Sequence, residues 1–142
     1  MRHRNHSKRL ARKPHQARML LKNLVTSILL YEKVRTTEKR AQVAKSIVDR
    51  VITIGKKDRT DLAIRKLKQY LTDENASKKI LEVLRKRYEK RPSGFSRIVP
   101  VGMRKGDGAR LVDLILVDAA APVVADEKKN DQKKTVTKKS SK

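Results

Sequence analysis

The sequence predicts an α+β fold: a two-layer domain of about four helices on a three-stranded sheet whose last strand is central, with a basic N-terminal arm and a Lys-rich tail. Three observations predict it. Apolar residues recur at helical spacing in four successive stretches between residues 15 and 88. Two runs rich in β-branched and aliphatic residues, 96–103 and 110–118, flank Lys105-Gly106-Asp107-Gly108 and read as a hairpin. Neither end of the chain carries an apolar period, which sets the expected boundaries: arm 1–14, α/β domain 15–118 and tail 119–142.

Taken in order, residues 1–16 hold six Lys or Arg, all three histidines and no carboxylate, the first acid of the chain being Glu32. This segment lacks the apolar residues that would offset the entropy of ordering its backbone, so a partner must supply the negative charge. After Pro14, the series Leu20, Leu24, Ile28 and Leu21, Val25, Leu29 form one stripe on a helix of about residues 15–31. Arg18 and Lys22 lie on its basic side. Lys33-Val34-Arg35-Thr36 reads as a short strand, with Thr36 or Thr37 able to cap a second helix through Ala44, Ile47, Val48, Val51 and Ile54. Gly55 before Lys56 and Lys57 resembles that helix's end. Asp58 or Thr60 is expected to start a third helix carrying Ala63, Leu67, Tyr70 and Leu71. Thr72 or Asp73 is expected to start a fourth carrying Ala76, Ile80, Leu84 and Tyr88, before Arg91-Pro92-Ser93-Gly94 breaks the pattern.

Strand order follows from two features. Leu111–Val117 is apolar on both faces except at Asp113, as a central strand requires. Pro100 cannot donate to a ladder and belongs on an edge, which leaves the first strand at the other edge. Helices then cover one face, and Asp113 marks the more open one. In the tail, lysine pairs at 128–129, 133–134 and 138–139 recur every five residues, a step of about 140° on a helix, so they share no face. The tail is expected to be disordered and polycationic.

Charge narrows the function. Lys and Arg number 38 against 15 acids, a net charge of +23 with a pI near 10.7, the footprint of a polyanion binder. The surplus is spread along the whole chain, which suits a body embedded in polyanion on several sides. With no cysteine, disulfides and thiolate metal sites are excluded. No apolar run approaches a membrane span, and Pro14, His15, Gln16 and Arg18 stand where a signal peptide would be apolar. A soluble, cytoplasmic protein is expected.

Catalytic chemistry has no visible cluster. His3, His6 and His15 lie in a cationic segment without carboxylate or thiolate, so no metal site is expected. Asp58 with Asp61 and Asp73 with Glu74 sit where helices begin and read as caps. Gly102–Gly108 leads into a strand, whereas a P-loop leads into a helix. No cofactor, small-molecule substrate or enzymatic activity is expected. Tyr31, Tyr70, Tyr88 and Phe95 are the only aromatics, three of them claimed by the core or helix ends. That leaves phosphate neutralisation and shape recognition of folded RNA.

Several motifs share one order: Met1-Arg2-His3, Val34-Arg35-Thr36-Thr37 before a helix with Lys39 and Ala41, Gly94-Phe95-Ser96-Arg97-Ile98, Gly102-Met103-Arg104-Lys105-Gly106-Asp107, and Leu116-Val117-Asp118. Together they resemble the bacterial large-subunit ribosomal protein family numbered seventeen, over about residues 1–118. The resemblance implies a three-stranded mixed sheet with its last strand central. It implies a structural, non-enzymatic role on the ribosome, bound to large-subunit rRNA near the nascent-chain tunnel exit and beside neighbouring ribosomal proteins. It also implies RNA contacts in the basic start, at Arg2, His3, Arg4, Lys8, Arg9, Arg12 and Lys13, and in the hairpin at Arg97, Arg104 and Lys105. The basic clusters Arg18 with Lys22, and Arg35 with Lys39 and Arg40, complete the expected RNA-binding set. The alternative is a nucleoid-associated DNA-packaging protein, which a paired-lysine tail would suit equally well.

Overall fold

A computed structural model describes residues 10, 13–57 and 59–118. Helix α1 (Pro14–Tyr31) begins with a proline in its first turn, where a missing N–H costs nothing. Its stripe buries Val25, Ile28 and Leu29 completely. Glu32 ends it in the left-handed conformation (φ 62°), and the chain enters β1 (Lys33–Thr37) and passes directly into α2 (Glu38–Lys57). Helix α3 (Thr60–Tyr70) follows, then α4, which starts at Glu74–Lys79, loosens into a π-helical stretch at Ile80–Leu84 and closes with a turn at Arg85–Arg87. Asp73 caps α4, its carboxylate accepting from the Asn75 N–H at 2.9 Å. Ala76, Ile80, Leu84 and Tyr88 are all fully buried. Residues four apart drift by about 40° per step on an ideal α-helix, and the wider winding of the π stretch counters that drift.

Strands β2 (Ser96–Met103) and β3 (Arg110–Leu116) form the hairpin, and the sheet order is β1-β3-β2, with the last strand central. Gly108, at φ 64°, turns the chain back, its N–H donating to the Arg104 carbonyl at 3.0 Å. Pro100 lies on edge strand β2, beside a bulge at Pro100–Gly102. The core joins α1, α2, α3 and α4 to the inner face of β3, where Val112, Leu114 and Leu116 point. Tyr88 and Phe95 pack ring to ring there, centroids 5.0 Å apart. Asp49 of α2 ties down the start of β2, accepting from the Phe95 N–H and the Ser96 hydroxyl, each at 3.1 Å.

Several expectations need correction. The sheet is antiparallel throughout, not mixed: β1 and β2 both run opposite to β3. Gly55 does not end α2. It is buried two residues inside the helix, where a Cβ would stand 2.3 Å from Ile80 Cγ2, so the glycine is there to let α4 approach. Strand β3 stops at Leu116, short of Asp118, whereas α3 does begin at Thr60 as expected. Asp113 does face away from the helices, but it is covered and not open, because β1 cations close over it. The predicted arm contacts Arg2, His3, Arg4, Lys8, Arg9 and Arg12, the cap at Asp58 and the tail 119–142 lie outside the described residues.

Candidate nucleic-acid interface

Side chains alternate across a sheet, so Lys33, Arg35, Arg97, Val99, Leu111, Asp113 and Ile115 share the face turned from the helices. Register places Lys33, Ile115 and Arg97 in one row and Arg35, Asp113 and Val99 in the next. With strands about 4.8 Å apart, Lys33 and Arg97 emerge about 10 Å from one another across the sheet.

Asp113 organises this face. Its side chain is 6% exposed and accepts from Arg35 Nε at 2.8 Å and Nη2 at 3.3 Å, with Lys33 Nζ 3.2 Å away. The Arg35 hydrogen bonds lower the Asp113 pKa below its ordinary value against the opposing effect of burial, with Lys33 assisting. Arg35 itself stays 57% exposed, and its guanidinium has five donors. It is therefore a fixed cation with donors still facing outward. Arg97 and Lys105 are exposed and make no ion pair among the described residues.

At the hairpin tip, Arg104 Nε donates to Asp107 at 2.8 Å. That hydrogen bond, with another from the Ala109 N–H, holds the Asp107 carboxyl down at about 2. The expected RNA contact at Arg104 is thus partly engaged within its own turn, whereas neighbouring Lys105 is open. Lys39 and Arg40 follow β1 in the first turn of α2, near the hairpin root, where Arg110 Nη1 lies 3.8 Å from Glu38. Arg18 and Lys22 lie on the first half of α1, and Lys13 immediately precedes it. The expected contacts accordingly fall into a sheet and hairpin group and an α1 group, which the structure does not merge.

Sequence reasoning missed Lys33, which belongs to the sheet group. The signal was its register one residue pair from Arg35, with both on the side of Asp113. It also missed Glu32, whose carboxylate is 15% exposed and receives Lys79 Nζ at 2.9 Å and Arg87 Nη1 at 3.0 Å. Burial resists ionisation of Glu32, but the hydrogen bonds from Arg87 and Lys79 outweigh it and lower its pKa. Other acids are likewise engaged, Asp118 with Arg91 at 2.9 Å and Glu74 with Lys68 at 3.4 Å. The surface left over is strongly cationic. Among the described residues no three His, Cys, Asp or Glu side chains are grouped to hold a metal, and no helix is long and apolar enough to cross a membrane.

Fold and surface together define a small basic α+β protein whose acids are largely tied up in its own structure while a broad set of cations faces outward. Residues 20–117 match the family model of ribosomal protein L17. The chain is 43% identical over 111 residues to the large ribosomal subunit protein bL17 of Desulforudis audaxviator, covering 78% of this chain and 97% of that one. It is 42% identical over 111 residues to the protein of that name from Caldanaerobacter subterraneus, with the same coverage. The match to the Geotalea daltonii bL17 protein is 35% over 138 residues, 97% of this chain and 76% of that one. The chain belongs to the L17 family of large-subunit ribosomal proteins, a family of structural components of the translation machinery and not of enzymes.

Proposed function

We propose that this protein is a structural constituent of the large ribosomal subunit that binds large-subunit rRNA by neutralising phosphates and matching the shape of folded helices. The observation that carries this reading is the division of its charges: Asp113, Asp107 and Glu32 are consumed internally, while Arg97, Lys105, Arg18 and Lys22 remain for an external anion. The two-layer body, residues 15–118, sets the geometry of the sheet and α1 groups, and the arm, residues 1–14, adds Arg2, His3, Arg4, Lys8, Arg9, Arg12 and Lys13 to the contacts. Large-subunit rRNA and neighbouring large-subunit proteins are the partners, and the cytoplasmic ribosome is the working location. A position near the nascent-chain tunnel exit rests on the family resemblance.

The test is sedimentation of salt-washed ribosomes. One copy of the full chain per large subunit, retained through moderately high salt, is the expected result. Recovery with chromosomal DNA instead would overturn the reading in favour of DNA packaging.

A further inference from the structure

Helices α1, α2 and α3 do not close completely where they meet. They leave an open cleft of about 180 Å³ lined by Arg18, Leu21, Lys22, Ile47, Gln69 and Tyr70. Leu21, Ile47 and Tyr70 are half-buried and continue the hydrophobic core outward, so its floor is apolar and partly aromatic. Arg18 and Lys22, one turn apart on α1, form its cationic side, and no carboxylate lines it. The Gln69 amide and the Tyr70 hydroxyl make no side-chain hydrogen bond among the described residues.

We propose that this cleft receives one unstacked nucleotide of ribosomal RNA, with the phosphate on Arg18 and Lys22 and the base against Tyr70. The proposal rests on the rRNA-binding reading and adds a defined subsite to it. Charge complementarity selects an anion. The apolar and aromatic floor selects an anion that also carries a flat ring, because a phosphate alone leaves Leu21, Ile47 and Tyr70 uncovered. The volume lies below the roughly 300–1,000 Å³ of clefts that hold drug-sized ligands and suits one ring system. Unpaired bases are the part of folded RNA that can be splayed out onto aromatic side chains, and Gln69 can read a base edge with both donor and acceptor.

The experiment measures binding of the full-length protein to transcribed large-subunit rRNA across a salt series, for the wild type, Tyr70→Leu, Tyr70→Phe and Arg18→Gln. Tyr70→Leu keeps an apolar side chain in the floor and is expected to weaken binding about tenfold without changing the salt slope, since stacking releases no counterions. Tyr70→Phe keeps the ring and should stay close to wild type, a pattern that loss of folding would not produce. Arg18→Gln should lower the salt slope by about 1. Ultraviolet cross-linking of the wild-type complex should join Tyr70 to a single nucleotide. If the wild type binds and Tyr70→Leu binds equally well, or if Tyr70 joins to no nucleotide in the cross-linked complex, the cleft proposal is overturned while rRNA binding stands. If the wild type does not bind, both fall.

Discussion

The two faces of the sheet solve opposite problems. On the inner side no buried side-chain polar atom among the described residues lacks a partner: Val112, Leu114 and Leu116 are buried against the helices, Gly55 of α2 leaves room for Ile80 of α4, and Glu32 absorbs two cations at the end of α1. The outer face uses one carboxylate, Asp113, to hold Arg35 and Lys33 in place, and leaves Arg97 unmatched. A net charge of +23 is therefore not one property. Some cations are structural and already satisfied, and others are incomplete until a polyanion arrives.

That contrast can be broken by substitution, in order of expected size. Gly55→Val forces a branched side chain into the space of Ile80 and should cost about 3 kcal/mol of unfolding free energy by chemical denaturation. Once folded, the variant should keep the wild-type salt slope for rRNA. Glu32→Gln removes the partner of two half-buried cations and should cost about 2 kcal/mol, discounted from the larger penalties of fully buried pairs because all three groups touch solvent. Its effect depends on pH. Glu32 and Asp113 have pKa values lowered in the fold from the ordinary 4.5 and 3.8, so their contribution is complete above those values and is lost as pH falls through the lowered ones. Thermal melts of the wild type should therefore weaken below about pH 4.5, and Glu32→Gln should flatten part of that decline.

Arg97→Gln inverts the pattern. Its stability should stay within about 0.5 kcal/mol of wild type, while the salt slope of rRNA binding drops by about 1. Arg35→Gln should fall between, costing less stability than Glu32→Gln and more than Arg97→Gln, because Asp113 keeps Lys33 but loses two hydrogen bonds. If Arg97→Gln unfolds the protein while Glu32→Gln lowers only the salt slope, the division between satisfied and incomplete cations is wrong.

Local signals in the sequence carried most of the fold. The α1 stripe, the Asp73 cap and both hairpin strands are written in spacing and composition over a few residues. Even the central place of β3 could be argued, because Pro100 and the doubly apolar run at 111–117 each constrain a strand's neighbours. What escaped depends on residues far apart in the chain. Gly55 looked like a helix end because nothing near it announces Ile80. Glu32 looked like an ordinary first acid because Lys79 and Arg87 lie 47 and 55 residues on. The antiparallel pairing of β1 with β3 escaped as well, since strand order fixes neighbours and not direction. The site was legible as a surplus of charge but not as two separate groups, because the grouping needs the register of Lys33 and Arg97 across β3. The α1 cleft was invisible for the same reason. Tyr70 reads as a helix-end core residue until α1 and α2 are placed beside it.

The most direct test is the affinity of the full-length protein for transcribed large-subunit rRNA, measured over a range of monovalent salt beside duplex DNA of equal length. The account predicts that log K for the rRNA falls linearly with log salt, with a slope corresponding to about six or more phosphate contacts. It also predicts that the rRNA is preferred over the duplex at every salt concentration. A salt-independent affinity, or equal binding to duplex DNA, would contradict it.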